Sequence, residues 1–279
     1  MNLKDLIPPV IYHRLRRPAR PPLLSTAPKI FSSYEEAEAA CGRYDDEEIV
    51  EIVKEKTKHF VSAGDPVIDN RQTVQNMLVL QAISKEPGTV QVIEPGGACG
   101  ALYFQLRHFF PGLIEKWTVV ETPKMSEAGG RFFADPCLSF TSSMKEALKN
   151  ISGKSLCIAS GVIQYLPAPL RSLEDILSCG FEYVYITRQP VCTEPVPPII
   201  TFQETSLLDH GPGSLNVQRE NKKKKTPVTY LSEAHFNEQI KKTGYSVVYN
   251  FEESPALRVQ FEGMSVHIKT IGLLLKKIK

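Results

Sequence analysis

A glycine-rich turn carries the strongest chemical signal in this sequence of 279 residues. Residues 94–100 read Glu-Pro-Gly-Gly-Ala-Cys-Gly, between a short apolar strand predicted over 90–93 and a helix predicted over 101–110. Glycines let the backbone approach a ligand closely, and a helix N-terminus presents free N–H groups. The turn therefore predicts a cofactor site.

Two classes of cofactor use such a turn. A dinucleotide site favours G-x-G-x-x-G, of which this turn keeps only Gly97 and Gly100 because Pro95 takes the first place. The pattern acid-x-G-x-G-x-G is typical of S-adenosylmethionine sites, and Glu94, Gly96 and Gly100 match it with an alanine in the middle place. An acid at the strand end attracts an ammonium group and repels a pyrophosphate. Charge therefore favours S-adenosylmethionine.

Polar residues also follow the next three predicted strands. Glu121 ends the strand predicted over 117–121, where an acid accepts both ribose hydroxyls of an adenosine. Thr141 and Ser142 follow the third strand and would flank an adenine ring, and the loop that begins at Ser160 would lie beneath the cofactor. The predicted cofactor-binding residues are Glu94, Gly96, Gly97, Gly100, Glu121, Thr122, Thr141, Ser142, Ser160, Gly161 and Gln164.

Three further residues are candidates for contact with the substrate. Tyr165 follows Gln164 in the loop nearest the reacting group, although both could instead pack against and cap the next helix. Arg188 lies at the C-terminal end of the predicted fifth strand, where it could clamp a phosphate or carboxylate or form a salt bridge to the next segment. His210 is the best-placed general base, but a lone loop histidine is usually exposed. No cluster of His, Asp or Glu has ligand spacing, so no metal is expected.

The predicted elements form an α/β fold behind a helical N-terminal region. Strands and helices alternate from residue 90 to residue 186, which indicates a parallel sheet covered on both faces. Residues 189–230 contain six prolines and predict an irregular lid or insert. Strands over 245–249 and 264–275 would close the sheet as an antiparallel hairpin. Helices are predicted over 34–41, 46–61 and 70–83, the last with Val74, Met77, Leu78 and Leu80 facing inward.

Composition excludes several classes of protein. The chain is 42% hydrophobic and 23% charged, which suits a globular protein, and its net charge of +2 argues against a nucleic-acid partner. No apolar run reaches the ~18–20 residues needed to span a bilayer. The six cysteines include no C-x-x-C pair, which fits reduced thiols and a cytoplasmic location.

The small net charge conceals two oppositely charged segments. Residues 1–29 have six basic residues against one acid, and residues 33–58 have nine acids against four bases. The first segment is rich in proline and predicts an extended arm. It would lie on the acidic segment, or contact anionic lipid or an acidic partner. The run Lys222–Lys225 predicts a solvated loop, with contact to a polyanionic substrate as the alternative.

Three stretches together resemble class I S-adenosylmethionine-dependent methyltransferases: residues 94–100, 117–123 and 160–167. More narrowly, with Tyr185–Arg188 and Ile200–Gln203, the chain resembles a bacterial methyltransferase family often encoded among surface-polysaccharide genes. The resemblance implies a Rossmann-like sheet of seven strands, mostly parallel with a C-terminal antiparallel hairpin. It also implies S-adenosylmethionine as cofactor. Many members carry Asp where this chain has glutamate in the turn.

The resemblance further implies methyl transfer to a small-molecule or sugar acceptor, in the biosynthesis of a surface glycan. The alternative is a catalytically inactive scaffold, or a partner protein that binds the cofactor. Enzymes that methylate planar base amines tend to carry Asn/Asp-Pro-Pro-aromatic after the fourth strand, whereas residues 160–163 read Ser-Gly-Val-Ile. The expected organisation is a basic arm over 1–32, a helical region over 33–85 and a methyltransferase-like domain over 86–279.

Overall fold

The computed structural model describes residues 27–42, 44–63, 71–149, 151–213 and 222–278. The predicted basic arm therefore lies outside the described residues except for its end, 27–32. There Lys29 forms an exposed salt bridge with Glu36 at 2.9 Å.

Three helices precede the sheet: α1 (Tyr34–Cys41), α2 (Glu47–Ser62) and α3 (Arg71–Ser84). The side chains of Ser33 and Asp46 cap α1 and α2, because each accepts a hydrogen bond from an N–H group of the first helical turn. The two caps are local sequence signals, and they explain why the predicted starts of these helices lie within one residue of the observed ones.

The buried face of α3 differs from the prediction. Val74 and Leu78 were expected to face inward, but they are 45% and 48% exposed. Leu80 is buried as predicted, but the buried face also carries polar residues, because the sheet presents hydroxyl groups there. Gln72 Nε2 donates hydrogen bonds to Tyr185 Oη at 3.2 Å and to Thr187 Oγ1 at 2.7 Å.

Strands and helices then alternate along the chain. The strands are β1 (Val90–Pro95), β2 (Ile114–Val120), β3 (Leu138–Thr141), β4 (Ser155–Ser160), β5 (Tyr183–Cys192), β6 (Ile199–Ser206), β7 (Lys223–Ser232), β8 (Tyr245–Glu252), β9 (Leu257–Phe261) and β10 (Met264–Lys277). The helices among them are α4 (Ala101–Phe109), α5 (Pro123–Phe133), α6 (Met144–Leu148), α7 (Pro169–Ser178) and α8 (Glu233–Lys242).

Seven strands form the main sheet in the order β3-β2-β1-β4-β5-β10-β8. Strands β1 to β5 pair in parallel, and β10 pairs antiparallel with β5 and β8. This sheet confirms the predicted Rossmann-like sheet of seven strands, mostly parallel with an antiparallel C-terminal part, and three additional strands enlarge it to ten. The chain runs outward in opposite directions from β1 and from β4. Ligands of such sheets bind at this switch point, beyond the carboxyl ends of the strands.

The prediction of an irregular segment over 189–230 is wrong for most of its described part. Strand β5 continues to Cys192, and β6 and β7 form an antiparallel hairpin from Ile199↔Tyr230 to Ser206↔Lys223. The hairpin joins the main sheet through the pairing of β7 with β5. Three of the six prolines fall in the connection between β5 and β6, so they end one strand without excluding the next.

The lysine run does not form a solvated loop. Lys222 lies 2.8 Å from Glu48, and Lys224 lies 2.9 Å from Asp46 and 2.7 Å from Glu48. The acids belong to the start of α2, where negative charge also favours the helix dipole. The run therefore fastens the start of β7 to the N-terminal helices.

Two apolar clusters cover the two faces of the sheet. Side chains of α2, α3, α4 and α5 pack on one face with Trp117 and Tyr185, and those of α6, α7 and α8 pack on the other with Ile186. Successive strand residues point to opposite faces, which explains why Tyr185 and Ile186 join different clusters. Within the described ranges, no helix combines the length and apolar character required to cross a membrane.

Candidate functional site

The glycine turn is packed tightly against its surroundings. A Cβ atom on Gly96 would lie 2.5 Å from Val162 Cγ2, and one on Gly97 would lie 2.5 Å from the carboxyl carbon of Glu94. Gly96 also has φ 70°, in the left-handed region that favours glycine. These two positions therefore require glycine for contacts within the protein, whatever ligand the turn holds.

The second half of the turn has an unusual backbone. Gly100 caps α4 with φ 78°, and Ala98 is left-handed with φ 50° although it has a side chain. Left-handed backbone at a non-glycine residue costs of order 1–3 kcal/mol and clusters at functional sites. The turn therefore presents strained backbone beside a helix N-terminus.

Glu121 is bonded to this turn. Its Oε1 accepts a hydrogen bond from the Ala98 N–H at 3.0 Å, and its Oε2 accepts one from the Thr122 N–H at 2.8 Å. Burial raises the pKa of Glu121. A carboxylate oxygen has two acceptor positions, so each oxygen of Glu121 retains one for a ligand hydroxyl.

Glu94 is more deeply buried, with 3% of its surface exposed. Its Oε2 accepts a hydrogen bond from Trp117 Nε1 at 2.8 Å. Burial raises the pKa of Glu94 to about 7. Desolvation disfavours the ionised form of a buried carboxyl group, whereas a nearby positive charge favours it. A cation bound beside Glu94 would therefore favour the ionised form of Glu94.

Three of the predicted residues flank Glu121. Thr122 is the N-cap residue of α5, and the Thr141 carbonyl accepts a hydrogen bond from the Glu121 N–H at 3.0 Å. Thr141 Oγ1 accepts another from the Ser143 N–H at 3.2 Å, while Ser142 is exposed. The structure thus brings the residues predicted for the adenosine end of the cofactor to one edge of the sheet.

The predicted residues after β4 gather around Arg188. The Arg188 guanidinium donates to Ser160 Oγ at 3.2 Å and to the Ser160 carbonyl at 3.0 Å. A Cβ on Gly161 would lie 3.1 Å from the guanidinium, so glycine makes room for it. Gln164 Nε2 donates to the Arg188 carbonyl at 3.4 Å, and Gln164 Oε1 is buried without a partner among the described residues.

Arg188 does not lie at the end of β5, as the sequence predicted, but inside it. Parallel pairing with β4 ends at Ser160↔Thr187, and one extra residue of β5 stands opposite the step from Ile271 to Leu273 of β10. This bulge explains the longer strand, because β5 continues beyond it through its pairing with β10. Arg188 has φ 53° in the bulge.

His210 is buried, with 7% of its surface exposed, whereas a lone loop histidine is usually exposed. Its Nδ1 lies 3.2 Å from the Tyr44 hydroxyl, and its Nε2 lies 3.2 Å from Thr205 Oγ1. Burial lowers the pKa of His210, which favours the neutral imidazole. Both ring nitrogens have partners within the protein, so His210 reaches a ligand only through another group.

Tyr165 lies on the same side of the site. Its hydroxyl donates to Gln203 Oε1 at 2.6 Å, and its ring centroid lies 6.2 Å from that of Tyr44. Burial raises the pKa of Tyr165, so this tyrosine stays protonated at neutral pH. Tyr44 therefore connects the two predicted residues Tyr165 and His210.

Two residues of this site were missed in the sequence. Burial raises the pKa of Tyr44 to about 12, and the Glu121 charge adds to the rise. The charge of Asp45 adds to the rise that burial causes in the pKa of Glu121. Asp45 Oδ1 is buried without a hydrogen-bond partner among the described residues. Both lie in the connection between α1 and α2, which carries no motif. Across the described part of the chain, no three side chains are grouped as metal ligands would be.

No protein-family model and no curated protein matches the chain. Among solved structures, the chain is similar to an S-adenosylmethionine-dependent methyltransferase from Clostridium acetobutylicum ATCC 824, at 9% identity and TM-score 0.44, over 76% of this chain and 94% of that one. It is similar to the glycopeptide N-methyltransferase MtfA at 13% identity and TM-score 0.44, over 79% and 97%. It is similar to the magnesium protoporphyrin IX methyltransferase of Synechocystis PCC 6803 at 12% identity and TM-score 0.41, over 82% and 100%.

Proposed function

We propose that the chain binds S-adenosylmethionine at the glycine turn and transfers its methyl group to a small-molecule or sugar acceptor of surface-glycan biosynthesis. The observation that carries this proposal is the placement of two carboxyl groups at the ends of adjacent strands. Glu94 lies against Gly97 at the end of β1, and Glu121 accepts the Ala98 N–H just after β2. The two acids thus border one turn at the switch point of the sheet.

The residues present fit this cofactor. The two open acceptor positions of Glu121 suit the two ribose hydroxyls, and the buried carboxyl of Glu94 suits the ammonium group of the methionine part. A dinucleotide would instead bring a pyrophosphate toward two acids, which charge opposes. Thr141 and Ser142 would flank the adenine.

When bound, S-adenosylmethionine supplies an electrophilic methyl group on a sulfonium. The protein must then align the acceptor and take its proton where the acceptor is an alcohol. His210 is neutral at pH 7 because burial lowers its pKa, so its Nδ1 can accept the Tyr44 proton while Nε2–H donates to Thr205. Tyr44 Oη in turn takes the acceptor proton. His210 is thus a positioning residue that acts through Tyr44. Tyr44, Tyr165 and His210 together form what we call the acceptor side of the site.

Titration calorimetry with three ligands tests the cofactor. We expect S-adenosylmethionine and its demethylated product, S-adenosylhomocysteine, to bind, and NAD to give no heat. Binding of NAD in their place, or no binding of either sulfur ligand, would remove the proposal.

Transfer is tested with S-adenosylmethionine labelled in its methyl group. The protein is incubated with small-molecule extract from cells that lack the gene, and labelled products are identified by mass spectrometry, since each carries one labelled methyl group in place of a hydrogen. We expect a labelled product that the Tyr44→Phe variant forms more slowly. Cofactor binding with no labelled product in any extract favours the inactive scaffold.

A further inference from the structure

We infer that Arg188 is an oxyanion anchor of the site, which binds a carboxylate or phosphate of a bound ligand. The inference rests on the proposed function for the identity of the ligands. The oxyanion has two chemical sources there: the acceptor, or the methionine carboxylate of the cofactor. Both require the same contact, a planar oxyanion edge against the guanidinium.

The guanidinium is held in place by Ser160, not by a salt bridge to an acid of the described residues. Its two hydrogen bonds go to neutral oxygens of Ser160, at 3.2 and 3.0 Å, and among the described residues no carboxylate forms a salt bridge with it. An arginine side chain has five N–H donors, so three remain. The side chain is exposed, so those donors are accessible.

The backbone around Arg188 is built to aim this side chain. Its φ of 53° places a non-glycine residue in the left-handed region, a conformation that persists only where the surroundings impose it. Glu253 Oε2 accepts the Arg188 N–H at 2.8 Å, and Glu253 Oε1 accepts the Thr187 hydroxyl. Gln164 restrains the Arg188 carbonyl from the other side. Gly161 leaves the space into which the guanidinium folds back over β4.

The charge faces the proposed site. Burial raises the pKa values of Glu94, Tyr44 and Tyr165, and the Arg188 charge opposes that rise at all three residues. Its guanidinium lies against Ser160 and Gly161, next to Val162, which packs on Gly96 of the glycine turn. Its carbonyl accepts the Gln164 side chain, which precedes Tyr165. Arg188 therefore lies between the cofactor side, which contains that turn, and the acceptor side, which contains the two tyrosines. A ligand oxyanion at Arg188 would be adjacent to both.

The test compares Arg188→Met with Arg258→Met. Arg258 is a matched control because its Nε also donates to a serine hydroxyl, Ser265 Oγ at 2.7 Å, on the β9–β10 hairpin. Binding of S-adenosylhomocysteine is measured beside that of 5′-methylthioadenosine, which lacks the amino-acid part. Binding of glucuronate and of inorganic phosphate is measured on the free protein and on the protein saturated with S-adenosylhomocysteine. Glucose serves as the neutral counterpart of glucuronate.

Two results support the anchor and separate its sources. If the acceptor supplies the oxyanion, Arg188→Met weakens glucuronate or phosphate binding at least about tenfold and leaves S-adenosylhomocysteine unchanged. If the cofactor supplies it, the same variant weakens S-adenosylhomocysteine about tenfold and leaves 5′-methylthioadenosine unchanged. Arg258→Met changes none of these affinities in either case. Arg188→Lys keeps the charge, so we expect it to retain weakened binding, which provides the comparison if the methionine variant does not fold.

The inference is overturned if folded Arg188→Met or Arg188→Lys binds every ligand as the wild type does, or if the wild type binds no oxyanion and its S-adenosylhomocysteine affinity does not depend on Arg188. Failure of the proposed function is a different result. In that case no sulfur ligand binds the wild type, while Arg188-dependent binding of glucuronate or phosphate remains measurable on the protein alone.

Discussion

The two sides of the candidate site are built in different ways. The cofactor side is local in the sequence, because Glu94, Glu121 and the turn between β1 and α4 lie within 28 residues. The acceptor side combines Tyr44, from the connection of α1 and α2, with residues as distant as His210. Its hydroxyl and imidazole groups contact one another only because the N-terminal helices and the β6–β7 hairpin meet there.

The charged groups of the site differ in their surroundings. The cofactor side buries Glu94 and Glu121 with raised pKa values, whereas Arg188, between the two sides, forms no salt bridge with a carboxylate of the described residues. A bound ligand with a cationic group would complement the two acids, and one with an anionic group would complement Arg188. These charges, more than the shape of the turn, therefore define what the site can bind.

The largest effect is expected at Glu94, in the pH dependence of stability. An unfolded glutamate ionises near 4.5, whereas burial raises the pKa of folded Glu94 to about 7. Between these values the folded state keeps a proton that the unfolded state has lost, so the free energy of unfolding falls as pH rises, by on the order of 3 kcal/mol. Glu94→Gln should lack this fall, and urea unfolding at pH 5 and pH 8 measures it.

Glu115→Gln is the matched control for this experiment, since Glu115 is an exposed acid at the other end of β2. We expect the wild-type slope in that variant. We also expect saturating S-adenosylhomocysteine to flatten the wild-type slope, because its ammonium group favours ionised Glu94. An equally steep loss of stability in Glu94→Gln would contradict the assignment of the raised pKa to this residue.

The next largest effect concerns cofactor affinity. Glu121→Ala removes a charged acceptor from the ribose, so the affinity for S-adenosylmethionine should fall by about 1–3 kcal/mol. Tyr165→Phe, on the acceptor side, should leave that affinity unchanged. Calorimetry on both variants measures the contrast, and an unchanged affinity in Glu121→Ala would refute the role of Glu121.

A smaller effect is expected from Tyr44→Phe. The change leaves Nδ1 of buried His210 without its hydroxyl partner, which should lower the free energy of unfolding by about 1 kcal/mol. Because burial lowers the pKa of His210, the folded state resists its protonation, so the contribution of His210 to stability should be lost as pH falls below about 6.5, opposite in sign to the contribution of Glu94. Chemical denaturation at pH 7.5 and pH 5.5 measures both.

Tyr249→Phe on β8 is the control, since the Tyr249 hydroxyl bonds to none of the described residues. It should leave stability unchanged. If Tyr44→Phe were as stable as this control, the hydrogen bond between Tyr44 and His210 would not exist in solution.

The sequence predicted most of the fold because its signals are local. Helix caps such as Ser33 and Asp46, apolar runs and glycine breaks mark the boundaries of individual elements without reference to distant residues. The outward position of Val74 could not be predicted in this way. It depends on the sheet, where Tyr185 and Thr187 offer hydroxyl groups to α3.

The site divides along the same line. The glycine turn and the acids after β1 and β2 follow from strand order, so the sequence indicated them together. The bulge at Arg188 depends on register with β10, and the burial of His210 depends on Tyr44, so neither had a local signal. Asp45 was missed for the same reason.

The smallest effect is expected at the lysine run, and it tests whether the acceptor side can be loosened alone. Lys224, 23% exposed, bridges β7 to Asp46 and Glu48, next to the connection that carries Tyr44. Lys224→Met should cost no more than about 1 kcal/mol, less in 1 M salt. Lys223, 74% exposed, pairs only with Glu204 among the described residues, and Lys223→Met should cost nothing measurable. Hydrogen exchange should quicken around Tyr44 in the first variant and remain unchanged at the glycine turn; faster exchange at both would show that the two sides open as one unit.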